Sequence, residues 1–274
     1  MSDNSRVRFA KAHAYGNDFL YVRAADVRGA ALDVLAREIC DRHTGAGADG
    51  LIVYEPTADG ASMKLFNADG SRSEVSGNGV RGLAALIAAV TSTLSASLTI
   101  QTEAGPKSLK RIGESEGRPM FRAHMGRPEG IRQVRGEAGG ESLQLTVLNM
   151  GNPQCIVLGS LPGEERFQRL GAALERHPMF PDRTNVEFVH VEAPDRIRIL
   201  IWERGVGPTS SSGTGSCGSL VAAASFGGAS RDAQVISPGG AQRVEWRDDG
   251  VYLSGWAEVV CEGEWLRPLP QSRT

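Results

Sequence analysis

The sequence is short of most residues from which common sites are built. It holds four cysteines, Cys40, Cys155, Cys217 and Cys261, and no two stand in a CxxC spacing. A disulfide framework and a structural zinc site are therefore not expected, and the thiols read as reduced and mostly buried. The five histidines, His13, His43, His124, His177 and His190, likewise show no metal-ligand spacing. Aromatic residues make up only 6% of the chain, and 30 basic against 32 acidic residues leave a formal net charge of −2. Nothing in that balance steers the surface toward nucleic acid or an anionic membrane. The apolar runs fall far below membrane-spanning length, and the opening MSDNSRVRFAKAHAYGNDF lacks the apolar core of a signal peptide, so a cytoplasmic protein is expected. A P-loop, a Rossmann fingerprint and a zinc-hydrolase motif are also missing, and no metal or cofactor is expected.

What the chain has instead is glycine, 34 residues, in two places arranged alike: SGNGVRGLAAL from Ser76 and SGTGSCGSLVAA from Ser212. Serine is a good N-cap, and glycine permits a tight turn into a helix. The first amides of such a helix have no acceptor within it and, with the helix dipole, can hold a carboxylate. One SGxG is explained as well by a cap as by a ligand site. Two, each preceded by a polar turn of its own (NADGSRSEV and WERGVGPTSS), point to a bipartite site for a small anionic ligand. Both helices, expected over 77–90 and 213–226, are built almost wholly of small and apolar residues, which suggests burial on every side and calls for a sheet wrapped around them.

The remaining pattern is rich in short strands. RVRFAKAHAYGNDFLYVRAA reads as a hairpin; LIVYEP and SMKLFNADG read as strands, with Asp69-Gly70 as a turn. An amphipathic helix is expected over 32–40 and a charged helix over 163–177. The second half repeats the order of the first, with weak identity outside the two motifs, which implies an internal duplication. The expected fold is α+β, an alpha-beta roll of two similar domains, each a curled, mostly antiparallel sheet around a central buried helix. The expected domains are 1–118 with a returning segment 262–274, and 119–261.

The stretches KAHAYGNDF, RHTGAGADG, FNADGSRSEVSGNGVR, NMGNPQCIV, RTNVEFV and WERGVGPTSSSGTGSC closely resemble the diaminopimelate epimerases, and do so in that family's order across nearly the full chain. Those enzymes invert one α carbon of diaminopimelate without a cofactor, in lysine and cell-wall precursor synthesis. The resemblance implies two α/β domains with the active site in the cleft between them, a homodimer, and a small amino-acid substrate such as LL- or meso-diaminopimelate. It implies that Asn17, Asn67, Asn152, Asn185, Glu203 and Arg204 line the substrate pocket. Gly77 and Asn78, with Gly213 and Thr214, would supply helix-start groups to the ligand carboxylate. The catalytic positions fall on Ser76 and Ser212.

In the family both catalytic residues are cysteines, one taking the α proton as thiolate and the other donating one as thiol. Here both are serine. A free thiol ionises near pH ~8.5, and a helix start lowers that further, whereas a serine hydroxyl needs a partner before it can act as a base. Gly50, Gln154 and Pro208 also stand where the family more often has glutamine, histidine and glutamate. Three readings stay open: a two-base epimerase, a one-base isomerase in which Glu203 or a substrate group takes the proton, and a binding protein that kept the carboxylate cradle without the bases.

Overall fold

The computed structural model describes residues 6–91 and 97–271. The chain divides into two compact units, one formed by Met1–Phe121 with Trp256–Thr274 and the other by Arg122–Gly255. The sequence reading starts the returning segment at 262; in the structure it starts at Trp256. The reason is local. The strand Glu258–Trp265 pairs with the first strand from His13 to Val7, and Trp256 stacks on Tyr15 with ring centroids 4.3 Å apart. The first boundary likewise moves from 118 to Phe121.

In the first unit, Val7–Ala14 and Asn17–Arg23 form a hairpin whose two-residue turn, Tyr15-Gly16, has φ of 55° and 83°. Positive φ at both turn positions matches the right-handed twist of the strands, at some steric cost for the non-glycine Tyr15. Helix α1 (Leu32–Cys40) then leads to Gly50–Thr57, which lies parallel to Asn17–Arg23. Gly60–Asn67 returns antiparallel. Helix α2 (Gly77–Thr91) carries the chain to Ser97–Thr102, parallel to Gly60–Asn67, and Gly105–Ser115 closes the series antiparallel. The pairing order is thus antiparallel, parallel, antiparallel, parallel, antiparallel.

The second unit repeats that order. Glu141–Asn149 and Pro153–Leu158 pair antiparallel, and helix α3 (Glu164–Glu175) leads to Asn185–Ala193, parallel to the latter. Arg196–Glu203 returns antiparallel. Helix α4 (Gly213–Ala222) leads to Asp232–Ser237, parallel to Arg196–Glu203, and Gly240–Arg247 closes antiparallel. In each unit a short strand, Arg72–Ser73 or Gly207–Thr209, immediately precedes the SGxG helix. The fold is α+β, with a central helix packed against the strands of each unit.

All ten residues of α4 are buried, as its composition predicts, and one π turn, Ala223–Gly227, extends it. Helix α2 is buried over 77–86, while 87 and 88 are partly exposed and 89 is exposed. Among the described residues, no helix is long and apolar enough to cross a membrane.

Helix α3 shows how tightly these layers fit. A Cβ at Gly171 would lie 2.5–2.9 Å from atoms of the Trp202 ring. Gly171→Ala should therefore destabilise the protein by about 2 kcal/mol, overpacking outweighing the helix propensity that alanine gains. Urea denaturation would measure this, and an unchanged or raised midpoint would contradict the packing argument.

Candidate active site

Each unit builds a half-site at one end of its sheet, where strand ends meet the start of the SGxG helix. In the first unit Ser76 caps α2, its Oγ accepting from Gly79 N at 3.1 Å. In the second, Ser212 caps α4 in the same way, its Oγ accepting from Gly215 N at 3.1 Å. Both serines are nearly sealed, 5% and 4% exposed. They are caps, then, but the cap geometry also serves acid–base chemistry. Any negative charge on the capping atom faces an N–H and the positive end of a helix, which stabilise it. The glycines between are dictated by contact: a Cβ at Gly79 would lie 2.7 Å from Ile52 Cδ1, and one at Gly215 would lie 2.5 Å from Glu187 Oε1.

The structure gathers the candidate residues of the first unit around that cap. Asn17 opens its strand, and Asn78 lies on the first turn of α2; Asn78 Nδ2 donates to Asn17 Oδ1 at 3.1 Å. Asn17 Nδ2 donates in turn to Asp49 Oδ2 at 2.7 Å. Asn67 ends the strand that pairs with Gly50 and donates to Ser71 Oγ at 3.0 Å, so it sits at the same sheet end. Gly77, the first residue of α2, is buried beside these groups.

The second unit matches this position by position. Asn152 precedes its strand as Asn17 opens its own, and Asn152 lies 3.3 Å from Thr214 Oγ1 as Asn17 meets Asn78. Asn185 begins the strand parallel to 153–158; its Oδ1 accepts from Arg204 N at 3.0 Å and its Nδ2 donates to Pro153 O at 3.1 Å. Glu203 ends the strand equivalent to the one ending at Asn67, Arg204 follows it, and the Arg204 guanidinium donates to Asp182 O at 3.2 Å. Gly213 starts α4.

Four residues that the sequence reading passed over organise these groups. Arg81 is fully buried within the apolar run of α2, donates to Asn78 Oδ1, and lies 5.6 Å from the Tyr15 ring centroid. Asp49 anchors Asn17 and also accepts from Arg42 at 2.7 Å. Burial and the neighbouring charge of Asp18 push the Asp49 carboxyl up; at Asp18 burial acts the same way but is outweighed by hydrogen bonds from Arg42 and Lys11. Glu175, at the end of α3, ties down the turn after Glu203, accepting from Gly205 N at 3.1 Å and from Trp202 Nε1 at 2.9 Å. Glu187 is fully buried beneath the start of α4, and burial, then the charge of Glu203, raises its carboxyl well above the usual range. The duplication gave no signal for Glu187, whose place beneath the SGxG helix is taken by Ile52 in the first unit.

The family departures have local explanations in part. A Cβ at Gly50 would meet Phe66 O at 2.7 Å and the Phe19 ring at 3.2 Å, so a side chain has no room there. Pro208 sits in the short strand opposite Trp202. Gln154 joins Asn152 to Glu187. The three buried cysteines are not reactive groups of this site: Cys217 is fully buried in α4, and burial pushes the Cys40 thiol up to about 12 and the Cys155 thiol higher still. Among the described residues, no three His, Cys, Asp or Glu side chains gather as a metal site requires.

A family model described as diaminopimelate epimerase matches residues 9–129 and 146–260. The diaminopimelate epimerase of Desulforudis audaxviator is 39% identical, the alignment covering 95% of this chain and 100% of that protein. That of Nostoc punctiforme is 36% identical over 94% and 99%. Among solved structures, a predicted epimerase from Pseudomonas aeruginosa superposes with a TM-score of 0.76 at 15% identity, over 95% of this chain and 99% of that one. A hydroxyproline epimerase from Agrobacterium vitis, with trans-4-hydroxy-L-proline bound, gives 0.69 at 16% identity, over 95% and 91%. The structural likenesses speak for the fold; the family model and the sequence relatives, spanning both half-sites, place this chain in the diaminopimelate epimerase family.

Proposed function

We propose that this protein is a cofactor-independent amino-acid isomerase that acts at the α carbon of diaminopimelate. The observation that carries the reading is the repeated cap: a serine oxygen hydrogen-bonded to the third helical amide, beside an asparagine at a strand start, once in each unit. Inversion needs one group to remove a proton from one face of the carbon and another to deliver one to the opposite face. Ser76 and Ser212 hold the two positions from which family members do this. As the α proton leaves, charge moves into the substrate carboxylate, and helix-start amides such as those of Gly77, Asn78, Gly213 and Thr214 stabilise it there. Asn17, Asn67, Asn152, Asn185, Glu203 and Arg204 supply the polar contacts that orient amino and carboxylate groups. The protein would work as a homodimer in the cytoplasm.

Glu203 favours a second chemistry. It lies close enough to Glu187 for its charge to be felt there, and with Glu187 protonated it is the carboxylate that could take a proton and return it to the same face. Incubating the protein with LL- and with meso-diaminopimelate in deuterium oxide separates these outcomes by NMR. Exchange with inversion is expected for the two-base isomerase. Exchange with retention would assign a one-base reaction, and binding without exchange would leave only the carboxylate cradle. Neither binding nor exchange would overturn the substrate assignment.

A further inference from the structure

The two SGxG helices start alike, but different residues lie beneath them. The strands Gly50–Thr57 and Asn185–Ala193 hold equivalent places in the two units, and Ile52 in the first corresponds to Glu187 in the second. A Cβ at Gly79 would meet Ile52 Cδ1 at 2.7 Å and Ser76 Oγ at 3.5 Å. A Cβ at Gly215 would meet Glu187 Oε1 at 2.5 Å and Ser212 Oγ at 3.0 Å. Each capping serine thus faces one side chain across a missing methyl group: a hydrocarbon for Ser76, a carboxyl for Ser212.

That carboxyl is held from behind. Asn185 Nδ2 donates to Pro153 O, and Asn185 Oδ1 accepts from Arg204 N, which fixes this amide. Asn185 Nδ2 also lies 3.2 Å from the Gln154 side-chain oxygen, so Gln154 turns its nitrogen to Glu187, 3.0 and 3.1 Å from the two carboxyl oxygens. An amide nitrogen donates to a carboxyl whether or not that group carries a proton. Gln154 therefore holds Glu187 in place and leaves Oε1 open toward Ser212. A serine hydroxyl needs a partner before it can act as a base, and a carboxyl is such a partner.

We propose that Glu187 is a positioning residue that takes up and returns the proton of Ser212, so that the second half-site works as a serine–carboxyl pair while the first holds Ile52 in that place. The inference rests on the function proposed above, in which Ser212 faces the α carbon. As the α C–H bond breaks, its electron pair passes into the substrate carboxylate and its proton goes to Ser212 Oγ. The proton of that hydroxyl goes to ionised Glu187, and reprotonation reverses the same transfers. Burial first, then the charge of Glu203 on the antiparallel neighbour, lifts Glu187 from the ordinary carboxyl range toward the pH at which acid–base groups work best. On the parallel neighbour Cys155 is kept a neutral thiol by burial, and the titratable side chain of α4 is the fully buried Cys217.

Two measurements test this, one of them without substrate. The first is an ultraviolet titration of the thiol introduced by Ser212→Cys, read against the wild type from about pH 5 to about pH 10. Adding Glu187→Gln should lower the pH at which that thiol ionises by about one unit or more, because a neighbouring carboxylate opposes thiolate formation. The thiol introduced by Ser76→Cys should not respond. The second is deuterium exchange at the α carbon of diaminopimelate as a function of pH. In the wild type, exchange should rise through one ionisation above the ordinary carboxyl range and then level. In Glu187→Gln it should fall about 10²-fold and lose that step, which would survive if Glu203 were the base. Glu187→Asp keeps the charge but draws it back from Ser212. It should move the thiol in the same direction and keep the step at a lower rate, and it serves where Glu187→Gln does not fold. The proposal is overturned if the Ser212→Cys thiol ionises at the same pH with either replacement of Glu187, or if folded Glu187→Gln keeps the wild-type exchange profile. Should the thiol shift while diaminopimelate neither binds nor exchanges, the Glu187–Ser212 pair stands and the substrate assignment falls.

Discussion

Ser76→Cys combined with Ser212→Cys is expected to raise the rate of α-proton exchange from diaminopimelate by about 10²–10⁴-fold, the usual contribution of positioned acid–base groups. Each new thiol would inherit the cap now held by the serine oxygen, with the N–H of Gly79 or Gly215 aimed at it. That N–H and the helix dipole stabilise a thiolate and bring its ionisation from the ordinary thiol range toward neutrality. The same surroundings act on a serine hydroxyl, but from a starting point far above the working range. The single replacements should do less for inversion than for exchange, because a lone thiol serves one face of the carbon. The measurement is deuterium incorporation with each stereoisomer, compared among wild type, single and double variants of equal thermal stability. A folded double variant that binds diaminopimelate but exchanges no faster than the wild type would mean that the serines do not occupy proton-transfer positions.

Glu187→Gln is expected to stabilise the protein increasingly as pH rises. In the folded protein, burial first and the charge of Glu203 second hold the Glu187 proton well past the range where an exposed glutamate loses it. The unfolded chain gives that proton up in the ordinary carboxyl range. Between the two values the folded state binds more protons than the unfolded one, so the wild type loses stability with rising pH, by up to about 1.4 kcal/mol per pH unit from this group. The loss ends once pH passes the folded-state value. Glutamine carries no proton to lose, so its advantage should be small in acid and widen toward alkaline pH. Urea midpoints of both proteins at a series of pH values give the difference directly. A gap that narrows with rising pH, or a variant least stable in alkali, would show that Glu187 is ionised and well paired in the folded protein.

Much of this architecture can be read from the residues because it rests on local rules. Alternation in RVRFAKAH and FLYVR gives the first hairpin, and helix α1 lies over 32–40 as its pattern predicts. The run after Ser212 carries only small or apolar side chains and no charge with which to face water, so a sheet must cover it, and α4 is buried throughout. The motifs also lead to Asn17, Asn78, Asn152 and Thr214, which contact one another across the start of each helix. What escapes the sequence is the layer behind them. Arg81 sits in the middle of an apolar helix, where periodicity averages it away, and only the tertiary fold supplies Asn78 and Tyr15 as its neighbours. Asp49 reads as a polar residue of a glycine-rich loop until strand pairing brings it to Asn17. Glu187 stands between the inward Val186 and Phe188 as an outward residue would, yet α4 covers that face of the sheet and buries it. Trp256 joins the first unit because of a ring stacked across nearly the whole length of the chain, a contact no local pattern encodes.

The pairing order that runs antiparallel, parallel, antiparallel, parallel, antiparallel in both units has an evolutionary consequence. A gene for one such unit, used as a pair of identical copies, must spend the same residues at both of its half-sites, and a substitution in one is a substitution in the other. Two copies joined in one chain escape that constraint. One could settle on Asn78 and Arg81 in its SGxG helix with Ile52 beneath it, and the other on Thr214 and Cys217 with a buried Glu187, through independent drift after the joining. The two faces of a carbon atom are chemically distinct partners, and a duplicated chain is free to treat them differently.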